Sequence, residues 1–131
     1  HAVEHRGPSE TPDGEYPLFL TTGRVLAQSP SGAQTRRLDA LADAAPEAFV
    51  ELHPSLAAHY GIAEGNRVRI HTRRGTALVV ARVTASIRDD TIFVPFHWGG
   101  DGRVNSVTNA ALDPSSHMPE VKVCAARIEP A

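Results

Sequence analysis

The chain has 131 residues, 41% of them hydrophobic, and a formal net charge of -2. This is one domain's length with enough apolar material for one core. The near-neutral balance argues against bulk attraction to nucleic acid or to an anionic membrane, and no apolar run approaches the roughly 20 residues needed to span a bilayer.

Residues 1–15 are polar, contain Gly7, Pro8, Pro12 and Gly14, and begin without methionine. They read as a linker from a preceding domain, since a signal peptide would need an apolar centre. The whole chain reads as a piece of a longer polypeptide, with the domain proper at 16–131. Leu18-Phe19-Leu20 is a short apolar run that predicts a strand ending at Thr21-Thr22-Gly23-Arg24, where glycine permits a sharp turn. Val25 to Arg36 is loop-like, with Ser29-Pro30-Ser31-Gly32 inside it. Leu38 to Ala45 predicts a short helix before Pro46, and Ala48 to Leu52 a strand. Pro54 suits a first helical position; Leu56, Ala57 and Tyr60 form an apolar face, and Gly61 suits a C-terminal cap. After the turn Glu64-Gly65-Asn66, two alternating strands follow, Arg67 to Thr72 and Ala77 to Thr84, joined by Arg73-Arg74-Gly75 as a hairpin. Thr91 to Val94 predicts another strand, Pro95 to Gly102 a loop, Asn105 to Leu112 a short helical turn, and Val121 to Ile128 the last strand. About six short strands with few helices argue for a small closed β-barrel.

Common catalytic signatures are missing. There is no HExxH or CxxC for a metal, no GxSxG nucleophile elbow, no Walker motif and no GxGxxG. Cys124 is the single cysteine, which excludes an internal disulfide and suits a reducing cytoplasm; its apolar strand reads as the setting of an inert core thiol. His53 and His59 flank the predicted helix on different faces and read as surface or packing residues. The chain therefore looks like a binding module.

Three polar, glycine-bearing loops at strand ends are the candidate ligand contacts. In the first, residues 21–37, small residues let the backbone approach a ligand while N–H groups and arginines suit phosphate, although a plain surface loop would share this composition. The second, Pro95-Phe96-His97-Trp98-Gly99-Gly100 followed by Asn105, suits a planar heterocycle, or else Trp98 plugs the core. The third, Asp113 to Lys122, ends in the only lysine among 13 lysine and arginine residues, which is either a ligand contact or a solvated charge.

In order, Thr22-Gly23-Arg24, Thr35-Arg36-Arg37, His53-Pro54, Gly61-Ile62, Glu64-Gly65, Arg74-Gly75, Pro95-Phe96-His97-Trp98, Asn105 with Thr108, Asp113-Pro114 and Lys122 resemble the C-terminal domain of the molybdopterin oxidoreductases. That family includes nitrate reductases and formate dehydrogenases, and the resemblance spans residues 16–129. It implies a mainly β, double-psi β-barrel of the aspartate-decarboxylase-like kind with a few short helices. It also implies a molybdenum bis(molybdopterin guanine dinucleotide) cofactor, held by Thr21, Thr22, Gly23, Arg24, Val25, Gln28, Thr35, Arg36, Phe96, His97, Asn105 and Lys122. No catalytic residue and no metal ligand are expected in this domain. Any iron–sulfur cluster would belong to earlier parts of the polypeptide, whose domains are the expected partners.

Many family members carry histidines and an aromatic after Thr-Gly-Arg, where this chain has Gln28-Ser29-Pro30. Thr-Arg-Arg and Pro-Phe-His-Trp are most similar to assimilatory nitrate reductases, which reduce nitrate to nitrite; formate dehydrogenase is the alternative. The domain alone is expected to be inactive. A barrel of related fold serving as an interaction or substrate-recognition module is the reading of another class. A small self-processing decarboxylase would need a Gly-Ser pair, which the sequence lacks. The resemblance further predicts a Thr22-Gly23-Arg24 turn at the same barrel end as His97 and Asn105, with Asn105 and Lys122 on the open side.

Overall fold

A computed structural model describes residues 1–131 except Val3, which falls within the expected linker and lies outside the described residues. Six strands, β1 (Leu18–Gly23), β2 (Phe49–Leu52), β3 (Arg67–Thr72), β4 (Gly75–Val83), β5 (Thr91–Pro95) and β6 (Cys124–Pro130), close into a barrel in the order β1-β5-β2-β4-β3-β6. β5 inserts between β1 and β2 and runs parallel to β1, while β4 inserts between β2 and β3 and runs parallel to β2. The remaining pairs are antiparallel. These two insertions beside parallel partners give the crossings of the expected double-psi barrel.

Alternation explains which residues fill the interior. In β3, Val68, Ile70 and Thr72 are buried while Arg67 and Arg69 are exposed, as a pleat with one wet face requires. Leu18 and Leu20 of β1, Val50 and Leu52 of β2, Ile92 and Val94 of β5, and Cys124, Ala126 and Ile128 of β6 join them in one core. Two short helices decorate the barrel, α1 (Asp39–Ala44) and α2 (Pro54–Tyr60). α2 starts with Pro54 at its first position, with the His53 ring accepting a bond from the Ser55 N–H, and stops at Gly61, which has φ of 65°.

Some boundaries differ from the sequence reading. Gly75 opens β4 instead of sitting in the hairpin turn, which is Arg73-Arg74 alone. The last strand starts at Cys124, not Val121, because Thr22 Oγ1 donates to the Val121 carbonyl and holds that residue outside the ladder. The expected helical turn at 105–112 is a 3-10 turn at Val104–Ser106. Val104 and Val107 belong to the core and plug one end of the barrel, while Asn105 between them is exposed. Ser106 seats its carbonyl so close to Gly75 that a Cβ there would come within 2.9 Å of it.

Residues 9–16 are no free linker. Glu10 Oε1 accepts from Arg73 at 2.6 Å and from Arg74 at 2.7 Å, Asp13 pairs with Arg73, and the Arg73 guanidinium lies over the Tyr16 ring. Ser9 N–H donates to Glu120, and Asn109 donates to Ser9 Oγ at 2.7 Å. The segment forms a strap over the β3–β4 turn and the connection before β6, with a cleft of about 470 Å³ beside it.

Candidate functional site

The strand directions gather the long connections at one end. β1, β5 and β3 finish there, and β2, β4 and β6 begin there. The β1–β2 loop (24–48), the Arg73-Arg74 turn and the β5–β6 connection (96–123) therefore share that end, while α2 and the 84–90 turn lie at the other. All twelve residues singled out in the sequence are at this end of the barrel or on the loops that leave it.

Lys122 Nζ donates to the Thr22 carbonyl at 2.6 Å and sits 5.4 Å from the centre of the Phe96 ring. Phe96 N–H in turn donates to the Gly23 carbonyl. This joins Thr22, Gly23, Phe96 and Lys122 across β1 and the loop after β5. The ammonium is exposed on one side and braced by a carbonyl and an aromatic face on the other. Thr21 points to the outer surface and is half-buried, whereas Thr22 is buried inside. Gly23 lies against the Phe93 ring. Arg24 is exposed and, like Arg37, forms no ion pair among the described residues.

The remainder of the first loop is bonded to itself and to His97. Val25 N–H donates to His97 Nε2 at 2.9 Å, and His97 Nδ1 lies 2.8 Å from the Ser29 carbonyl. Arg36 bonds the His97 carbonyl and, at 3.3 Å, the Ser31 carbonyl. Gln28 is buried; its amide nitrogen donates to Leu41 O at 3.0 Å and its oxygen accepts from Thr35 Oγ1 at 2.6 Å. Gln28, Thr35 and His97 thus spend their polar atoms within the protein. Asn105 sits on the plug, away from this cluster in the barrel order, and presents its amide to solvent.

Trp98 is half-buried and packs against the core from its rim. It packs edge-on against Phe49 at 6.0 Å and beside His97 at 5.6 Å, and the Arg82 guanidinium lies over the Phe49 ring. The strap was not foreseen as part of this end, where its Glu10 meets Arg73 and Arg74 of the β3–β4 turn; nothing in a short polar run names a partner some sixty residues away. Cys124 Sγ accepts from the Asn109 N–H at 3.0 Å, and burial pushes its thiol up from the ordinary range. That fits the inert core role. Among the described residues no group of three or more His, Cys, Asp or Glu is placed to hold a metal, and no helix is long and apolar enough to cross a membrane.

Comparison with known proteins gives concordant results. The family described as "Molydopterin dinucleotide binding domain" matches residues 18–125. The assimilatory nitrate reductase catalytic subunit of Bacillus subtilis is 46% identical over 94% of this chain and 17% of its own length. The F420-dependent formate dehydrogenase 1 subunit alpha of Methanococcus maripaludis is 42% identical over 98% of this chain and 19% of its own. Acetylene hydratase from Pelobacter acetylenicus shares the fold with a TM-score of 0.86 and 21% identity, over 98% of this chain and 21% of that one. The chain spans less than a fifth of the length of these curated relatives.

Proposed function

Because the chain belongs to the molydopterin dinucleotide binding domain family, we propose that it is the C-terminal cofactor-binding domain of a molybdenum oxidoreductase that reduces nitrate to nitrite. The observation that carries this reading is the one-ended gathering of Arg24, Arg37, Lys122 and Asn105 on loops whose backbone is already braced. Guanidinium, ammonium and primary amide match the phosphates and the amide edge of a pterin guanine dinucleotide. On this reading Arg24 and Arg37 take pyrophosphate oxygens, Lys122 a single oxygen beside Thr22, and Asn105 a heterocycle edge. Thr21 and Gly23 supply backbone, while Val25, Gln28, Thr35, Arg36, Phe96 and His97 shape the loops around it.

The cofactor would be the bis form with molybdenum. It supplies the redox chemistry, and this chain contributes binding and orientation. An iron–sulfur cluster, where one is used, would reside outside this chain, and the partners are the other domains of the same polypeptide. The single buried thiol fits a reducing compartment, so the cytoplasm is the proposed location. Formate oxidation is the second reading, favoured by the formate dehydrogenase relative that matches 98% of this chain.

The test is to purify the full protein from cells that make the cofactor, extract its pterin and assay it with both substrates. Molybdenum, a guanine dinucleotide and viologen-dependent nitrate reduction are expected. Formate-dependent viologen reduction would favour the second reading. A protein that never acquires a pterin would be an interaction module instead.

A further inference from the structure

His97 is 1% exposed, lies at the end that carries the proposed site, and bonds both ring nitrogens and its carbonyl to the chain. Nε2 receives the Val25 N–H at 2.9 Å, so Nε2 carries no proton. Nδ1 must then bear the ring proton, and it has acceptors in place, Ser29 O at 2.8 Å and Pro30 O at 3.2 Å. The His97 carbonyl is taken by Arg36, whose guanidinium also bonds Ser31 O and packs over Gly32. One residue of the β5–β6 connection therefore holds the β1–β2 loop at three places, residue 25, residues 29–30 and residue 36.

We propose that His97 is a positioning residue, a neutral Nδ1–H imidazole that pins the 24–37 loop and so sets which of its arginines meet the ligand. Arg36, although exposed, commits its guanidinium to the His97 and Ser31 carbonyls, which leaves Arg24 and Arg37 as the uncommitted cations. The ring suits the task because it is the one uncharged side chain that is rigid and offers a donor and an acceptor at opposite edges. This rests on the reading of the loop as part of a dinucleotide cradle.

The pin is tested first on the cofactor-free full protein. Ring nitrogen shifts of histidine-labelled protein should report His97 as the neutral Nδ1–H tautomer; the Nε2–H tautomer would overturn the proposal with no substitution made. His97→Phe should let amides in residues 24–32 exchange roughly tenfold faster or more, the equivalent of about one net hydrogen bond lost. His97→Gln, which keeps a donor and an acceptor, should regain a good part of that protection. Equal exchange in wild type and both variants would also overturn the pin. The second arm measures retained guanine dinucleotide after gel filtration: it should fall in His97→Phe and recover in part in His97→Gln. Loading wild-type protein should further protect residues 24–37. If loading leaves them unchanged while the tautomer and exchange results stand, the cradle reading fails and the pin survives.

Discussion

Lys122 braces the end of β1, and the proposed function gives the same side chain a ligand contact. Its ammonium reaches the Thr22 carbonyl and the Phe96 face, so a planar guanidinium would have to leave one of them to fit. In the full protein, Lys122→Ala is expected to lower cofactor occupancy roughly tenfold to a hundredfold, the loss of one charge-assisted hydrogen bond of about 1.5–3 kcal/mol. Lys122→Arg should not restore it fully. Wild-type molybdenum content in Lys122→Ala would show that this lysine is only a solvated charge. The sequence singles this residue out because it is the only lysine in the chain. His97 was singled out too, but its part was not: a sequence displays a ring beside glycines and cannot show that both nitrogens face backbone 67 to 72 residues away.

At the scale of elements, periodicity revealed strands wherever one face is wet, as in β3 with Val68 and Ile70 inward. It failed where tertiary bonds override a local pattern. Val121 and Val123 read as strand, yet a threonine hydroxyl claims the Val121 carbonyl and the ladder begins later. Val104 and Val107 have helical spacing, yet they serve as a plug on a single 3-10 turn. The strap over residues 9–16 is the element for which the sequence offered least, and its chemistry makes it sensitive to acid. Burial pushes the Glu10 carboxyl up, but bonds from Arg74, the Ala125 backbone and Arg73 outweigh this and hold it below its ordinary 4.5. The Tyr16 N–H, the Glu15 N–H and Arg73 likewise hold Asp13 below 3.8 despite its desolvation. Carboxyls depressed in the folded state stabilise it above their unfolded pKa and lose that contribution as pH falls through the folded one. The strap should therefore stay protected from exchange at neutral pH and release only below about pH 4, whereas Glu10→Gln should loosen it at pH 7. Equal protection of residues 9–16 at pH 7 in wild type and Glu10→Gln, in a barrel that remains folded, would sink this account.

For the whole molecule, closure means that none of the six strands has a free edge, and one core draws side chains from all six. Ile70→Ala, at a fully buried position, should cost about 2–5 kcal/mol and lower one cooperative unfolding transition. Leu26→Ala, on a fully exposed loop residue, should stay within about 0.5 kcal/mol of wild type. Separate transitions for the barrel halves in denaturant would contradict the single core.

The buried thiol has a practical corollary for electrochemistry. Cys124 is enclosed and its proton is held tightly, so this chain offers a sulfhydryl reagent no ready target of its own. Ala85 is exposed in the 84–90 turn, at the end of the barrel opposite the long β1–β2 and β5–β6 loops. A cysteine introduced there, Ala85→Cys, would be this chain's one reactive handle, and tethering it to a maleimide-coated electrode would orient every molecule with its loop end away from the support.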